Sequence, residues 1–262
     1  MPLSFDNALA SLLHGLLRPE LDFLCRLPFW APALTGVAVA LAVAVLMLAW
    51  SRSCPSSLCT PGVGALREEA VGLLRRAKAE LKGWQGEAAV AAVLARAGYP
   101  ALHDVIVRDA WGLTQVDHLV RLAGGIAVVE TKAYSGTVTG GVRDRLWVQE
   151  LACGRVRTAF RNPVMQNERH VRAVRRVTGS GVPVCGLVVS AGSARFCGEL
   201  EGGVVGLDVL AARLRAGPMV GCDMRQLDAA WRALTAAAAR SGPLRGAHLR
   251  QVERVRRRAG AG

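Results

Sequence analysis

The sequence is poor in lysine, has no repeated segment, and over one long stretch carries no charge at all. The seven cysteines are odd in number, and most stand alone in apolar stretches (Cys153, Cys185, Cys197, Cys222). A disulfide framework is therefore not expected, and a reducing compartment suits the chain better. Cys54 and Cys59 lie close together, but no further Cys or His pair nearby completes a zinc site, so they read as part of a spacer. What replaces lysine is arginine: Lys+Arg total 33 against 20 Asp+Glu, a formal net charge of +13. That balance points to a polyanionic partner, either nucleic acid or an anionic membrane face. A length of 262 residues allows one ordinary domain plus extras, or two small ones.

The charge-free stretch runs from Leu27 to Ser51, and its core, residues 31–50, is long enough to cross the ~30 Å hydrocarbon layer as a helix. It is apolar on every face, unlike a buried soluble helix. It also starts late, is longer than a signal-peptide core, and is not followed by a strong cleavage site. Arg52, Arg67, Arg75, Arg76, Lys78 and Lys82 follow it, whereas Arg18 and Arg26 before it are offset by Asp6, Glu20 and Asp22. The positive-inside rule then predicts a single-pass protein of the cell membrane with its C-terminal domain in the cytoplasm. The predicted organisation is a leader (1–30), a transmembrane helix (31–50), a linker and charged helix (51–82), a core domain (83–190), a C-terminal strand and helices (191–241) and an Arg-rich tail (242–262).

Within the core, residues 86–98 predict a helix, separate from a charged helix over 65–84. Strands are predicted over 103–109, 115–122 and 126–132, and a short hairpin over 145–151 and 154–160. A helix over 162–179 has Asn162 as N-cap and Pro163 at its first position. An apolar strand over 182–190 and helices over 207–217 and 223–240 complete an α/β domain around a mixed sheet.

The hairpin carries three charges, Asp117, Glu130 and Lys132. A two-residue Gly124-Gly125 turn places Asp117 opposite Lys132, and a four-residue loop places it opposite Glu130. Either register keeps all three on one face, because side chains alternate along a strand. Two nearby carboxylates suit a divalent cation with hard oxygen ligands, Mg²⁺ or Mn²⁺. Such an ion activates water and offsets charge on a phosphoryl group, and an ammonium beside it stabilises the same charge. A cross-strand salt bridge on a solvated face is the other reading.

Asp117 followed, after twelve intervening residues, by Glu130-Thr131-Lys132 resembles the PD-(D/E)XK nuclease core, with Val116 where the signature has Pro. More closely, Gly83 with Gly86-Glu87, QVDH (115–118), VVETKAYSGTVTGG (128–141) and NPVMQNERHV (162–171) resemble the nuclease-related domain, or NERD, family, from about Gly83 to Val189. The resemblance implies a restriction-endonuclease-like mixed sheet flanked by helices, here preceded by the single transmembrane helix. It implies Asp117 and Glu130 as metal ligands and Lys132 as the catalytic lysine. Glu87 would be a further acidic ligand or water-orienting group, and Gln166 a supporting glutamine. The expected activity is Mg²⁺-dependent cleavage of nucleic acid, DNA ahead of RNA. The alternative is a catalytically silent nucleic-acid-binding or membrane scaffold module of the same fold. Arg169, Arg172 and Arg176 share neighbouring turns of one helix and form a candidate phosphate-facing stripe. The tail is a second candidate for polyanions, including anionic lipid. His170, among arginines, is expected to be solvated or near a phosphate, His118 to pack or hydrogen-bond, and Tyr134 and Trp147 to pack in the core or support the hairpin, ahead of stacking on a base.

Overall fold

The computed structural model describes residues 61–197, 203–217 and 222–259. The expected leader and transmembrane helix over 31–50 lie outside them. Among the described residues no helix is long and apolar enough to cross a membrane. The chain divides into two units, one ending at Trp84 and one beginning at Gln85.

The first described element is α1, Pro61–Arg96. It replaces the two helices expected over 65–84 and 86–98, and takes in the last residues of the expected linker. Gly83 and Gly86 sit inside it without breaking it. Isolated glycines weaken a helix by about 1 kcal/mol each, which the favourable residues around them can offset.

The second unit holds two sheets. The larger has the order β1-β2-β3-β7-β9, from β1 (Ala101–Arg108), β2 (Leu113–Leu122), β3 (Gly125–Lys132), β7 (Val184–Ser190) and β9 (Val204–Gly206). Strands β1, β2 and β3 form an antiparallel meander, whereas β3, β7 and β9 are parallel. This is the expected mixed sheet. The smaller sheet has the order β6-β5-β4-β8, from β4 (Thr137–Thr139), β5 (Leu146–Leu151), β6 (Val156–Arg161) and β8 (Arg195–Cys197). Its β5–β6 hairpin matches expectation. Strands β4, β8 and β9, three residues each, are too short to carry an alternation; β4 is not among the expected strands, and β8 and β9 stand where a single C-terminal strand is expected.

The chain crosses from β6 to β7 through α2, Pro163–Thr178. Asn162 caps it, its side chain accepting hydrogen bonds from Val164 N and Met165 N. The same side chain donates to the carbonyls of Val142 and Asp144 at 2.9 and 2.7 Å, so the cap also ties down the loop after β4. Helices α3 (Leu210–Arg215), α4 (Met224–Ala239) and α5 (Ser241–Ala259) follow. The Arg-rich tail is thus mostly helix. Helices α2 and α4 cover one face of the larger sheet through Val171, Val174, Leu227 and Leu234, packed on Leu119, Ile126 and Val128. The end of α1 and α3 cover the other face through Val90, Leu94, Leu210 and Leu214, packed on Val120, Ala127 and Val129.

Candidate active site

The β2–β3 pairing sets Leu122 against Gly125 and His118 against Val129. The turn is therefore Ala123-Gly124 rather than Gly124-Gly125. In this register Asp117 falls opposite Glu130, the second of the two expected arrangements. The paired rungs stop one short of it, at His118–Val129, and Thr131 N donates instead to Asp117 Oδ2 at 2.8 Å.

The rung before it, on the β1 side, is also irregular. Pairing between β1 and β2 runs through His103–His118 and Val105–Val116 but skips Asp104–Asp117. Asp104 has φ 57°, a left-handed conformation in mid-strand. Such a residue costs of order 1–3 kcal/mol, least for Asp and Asn. On both strands the alternation slips here. Leu102 and Val105 face the same core cluster although three residues apart, and so do Val116 and Leu119. Regular strands would send those side chains to opposite faces. The kink places two aspartates, Asp104 and Asp117, where a regular ladder would have continued.

Glu130 is the centre of the arrangement and is only 2% exposed. Its Oε1 meets Lys132 Nζ at 2.6 Å and accepts from Gln166 Nε2 at 2.7 Å. Gln166 Oε1 in turn accepts from Lys132 Nζ at 3.2 Å, which closes a triangle. Glu130 Oε2 lies 3.1 Å from His170 Nδ1, and neither atom has another polar partner among the described residues. Gln166 and His170 are one turn apart on α2, so one helix face serves both carboxylate oxygens. Between them Asn167 donates to the carbonyls of Val128 and Leu187, fixing α2 across β3 and β7.

Glu87 comes from α1. Its neighbour Gly86 lets that helix approach closely: a Cβ there would meet Ala133 Cβ at 3.0 Å and Ala191 Cβ at 3.3 Å. This gives a packing reason for the glycine before Glu87.

The electrostatics divide the carboxyls. Burial opposes ionisation of Glu130, but His170 and Lys132 outweigh it and hold its pKa below the ordinary value. Burial likewise disfavours charge on Lys132, and Glu130 more than compensates, so its pKa is raised. Asp117 is pushed well up, first by burial and then by the charges of Glu130 and Glu87. Glu87 is pushed up to about 7 by burial and by Asp104 and Glu130. The pocket therefore holds more potential negative charge than its own cations neutralise.

That surplus bears on a metal. The donors are hard carboxylate oxygens, and Glu130 Oε2 and Asp104 Oδ1 are buried without hydrogen-bond partners. Chemically the set suits Mg²⁺ or Mn²⁺, which Asp117 and Glu130 would hold with Glu87 beside them. Among the described residues no three His, Cys, Asp or Glu side chains are already grouped to hold an ion. Water would complete the coordination.

The remaining sequence candidates are placed as follows. Arg169 pairs with Asp109 and lies over the Trp111 ring. Arg172 is exposed, 3.9 Å from Glu168, and Arg176 is exposed. His118 hydrogen-bonds as expected, Nδ1 to His103 Nδ1 at 2.7 Å and Nε2 to Thr131 Oγ1 at 3.1 Å. His170 is not solvated as expected but buried against Glu130. Trp147 is fully buried, its Nε1 donating to Gly141 O, so it supports the smaller sheet and is not free to stack on a base. The sequence reading did not single out Asp104 or its partner Arg245, which reaches it from α5. No local pattern marks either one. For His170 a signal existed: it stands four residues after Gln166.

Comparison with known proteins agrees with the motifs. The chain is 37% identical over 97 residues to an uncharacterized protein of Bacillus anthracis, a match covering 36% of this chain and 45% of that protein. The matched part thus spans less than half the length of that relative. The crystal structure of the protein of unknown function AF1548 is similar over 48% of this chain and 58% of its own, at 15% identity and a TM-score of 0.30. A likeness of that size bears on neither fold nor function. A family model described as NERD, the nuclease-related domain, matches from residue 82 to 191, a stretch that takes in Glu87, Asp117, Glu130, Lys132 and Gln166. A nuclease-related domain is found at residues 82–191.

Proposed function

We propose that the protein is a membrane-anchored, Mg²⁺-dependent nuclease acting on nucleic acid, DNA in preference to RNA, on the cytoplasmic side. One observation carries the reading: an ionised, almost sealed Glu130 joined to Lys132 and Gln166, with Asp117 and Glu87 crowded beside it. A domain of this kind suggests nuclease-like function and nucleic-acid binding. A bound divalent cation would relieve the carboxylate crowding and supply Lewis acidity and a more acidic water. The chain's own groups do the rest. Gln166 and Glu130 hold the Lys132 ammonium charged and oriented, so it meets the charge that builds on a phosphate without reorganising. Asp117 is fixed by the Thr131 N–H. In this reading the apolar stretch 31–50 is the anchor, and the arginines after it favour a cytoplasmic domain by the positive-inside rule.

The test is calorimetry of Mg²⁺ with the full-length chain in detergent, Mn²⁺ as cross-check, wild type against Glu130→Gln, followed by cleavage of DNA and RNA. Binding and cleavage that both vanish in the variant support the reading. Cleavage that persists in Glu130→Gln and Lys132→Ala places the chemistry elsewhere. The second reading is a silent nucleic-acid-binding module. It is favoured by the closed Glu130–Lys132–Gln166 triangle, which leaves Lys132 already partnered. Salt-sensitive binding of nucleic acid without metal uptake or cleavage selects it.

A further inference from the structure

We infer that Trp111 is a stacking platform for an unpaired base, which makes single-stranded nucleic acid the substrate class of the site. The inference rests on the nuclease-like reading above and names its substrate.

Trp111 is the most exposed large apolar side chain among the described residues, at 69%. It stands on the turn between β1 and β2, and that turn is built to hold it. Trp111 N donates to Asp109 Oδ1 at 2.7 Å, and Asp109 N donates to Gly112 O at 2.9 Å. From α5, Gln251 clamps the next residue in both directions, accepting from Leu113 N and donating to Leu113 O, each at 3.0 Å. Gly112, at φ 133°, has no room for a Cβ because Gln251 occupies it.

The Arg169 guanidinium lies over the ring, 5.2 Å from its centroid, and is itself paired with Asp109. One side of the indole is thus backed by a fixed cation while most of its surface stays open to solvent. Arg169 precedes His170 and follows Gln166 by three residues, and both of those side chains contact Glu130. The platform therefore borders the helix face that builds the site. Exposed Arg108, Arg250 and Arg254 lie on the segments that meet at this turn, and none pairs with a carboxylate among the described residues. They suit a phosphate backbone. In a duplex both faces of a base are already stacked, so an open indole serves an unpaired base. Among the described residues no other aromatic is exposed: Trp147 is buried, and Tyr134 is tucked against Phe160 at 4.5 Å between ring centroids.

The test uses the full-length chain in EDTA, so that nothing is cut, and follows anisotropy of an end-labelled oligothymidylate, an abasic strand of equal length, and a duplex. Wild type should prefer the thymidylate. Trp111→Ala should lose about tenfold or more on it, the loss of one base–aromatic stack, while its affinity for the abasic strand and the duplex stays unchanged. Trp111→Phe should keep most of the preference. Equal thymidylate binding by wild type and Trp111→Ala, or an equal loss on all three ligands, overturns the inference. The Glu130→Gln cleavage experiment is independent of this one. Absence of cleavage with a base-dependent Trp111 effect removes the nuclease reading and leaves the stacking platform standing. Cleavage with no such effect does the reverse.

Discussion

Glu130 and Lys132, two residues apart on one face of β3, form a 2.6 Å ion pair in which the carboxylate is sealed and the ammonium is one-fifth exposed. The asymmetry decides how the pair responds to mutation. Lys132→Met leaves a buried carboxylate with an uncompensated charge, which typically costs about 3–5 kcal/mol. Glu130→Gln leaves a cation that still reaches water. Chemical denaturation at neutral pH should therefore show Lys132→Met as the more destabilised variant. The double variant should fall short of the sum, because the residues share one interaction. Equal and additive losses would mean that the pair is not coupled.

Glu87 should make the protein less stable as pH rises. Its folded pKa, about 7, lies above the ordinary 4.5, so between those values the folded chain holds a proton that the unfolded chain has released. Stability is full below the lower value and is lost as pH climbs through the upper one. Glu87→Gln mimics the protonated form. It should match wild type below about pH 4.5 and exceed it above pH 7. Melting curves across pH check this, and a Mg²⁺-dependent rise of the wild-type Tm above pH 7 should be smaller in the variant.

The His103–His118 pair has the opposite sign. Burial, aided by the neighbouring imidazole, lowers His118 from 6.5 to about 3. As pH falls below 6.5 the unfolded chain takes up a proton that the folded chain refuses, so stability is lost toward acid. Each such group contributes a slope approaching about 1.4 kcal/mol per pH unit. Imidazole NMR should find His118 neutral at pH 5, and His118→Gln should flatten the acid limb of the stability curve. A His118 that titrates near 6.5 would contradict the burial and contacts described above.

Asn162→Ala should cost more than an ordinary cap. Loss of an N-cap alone is worth about 1 kcal/mol. Here the same amide also holds the carbonyls of Val142 and Asp144. Denaturant unfolding should give about 2–3 kcal/mol, with the larger part restored by Asn162→Asp only if capping, rather than the carbonyl clasp, dominates.

Much of this was legible in the residues. The strands β1, β2, β3 and β7 carry long apolar patterns, and Asn162-Pro163 announces α2. The charged hairpin could be read because few structural roles need three charges in so apolar a setting, whereas Glu87 came only from the resemblance of its Gly-Glu motif. What escaped was set by tertiary contact. The glycines of α1 suggested a break where a long helix runs on. Strands of three residues owe their conformation to a partner strand rather than to their own pattern. His170 looked solvated beside two arginines, yet α2 turns it toward Glu130 and the arginines away. Trp147 stands in an expected strand and Trp111 beside Gly112 in a turn, but only the fold shows that the first is buried and the second open.

The Asp104–Arg245 contact sets a lower limit on what can be separated from this protein. The matched family region ends at residue 191, but the kinked rung beside Asp117 is neutralised from α5, and the Trp111 turn is clamped from Gln251. A chain cut where the sequence likeness stops would keep every motif residue and lose the guanidinium that balances one of its buried aspartates. The folded unit is thus longer than its recognisable signature, and its last arginine-rich helix helps to build the candidate site.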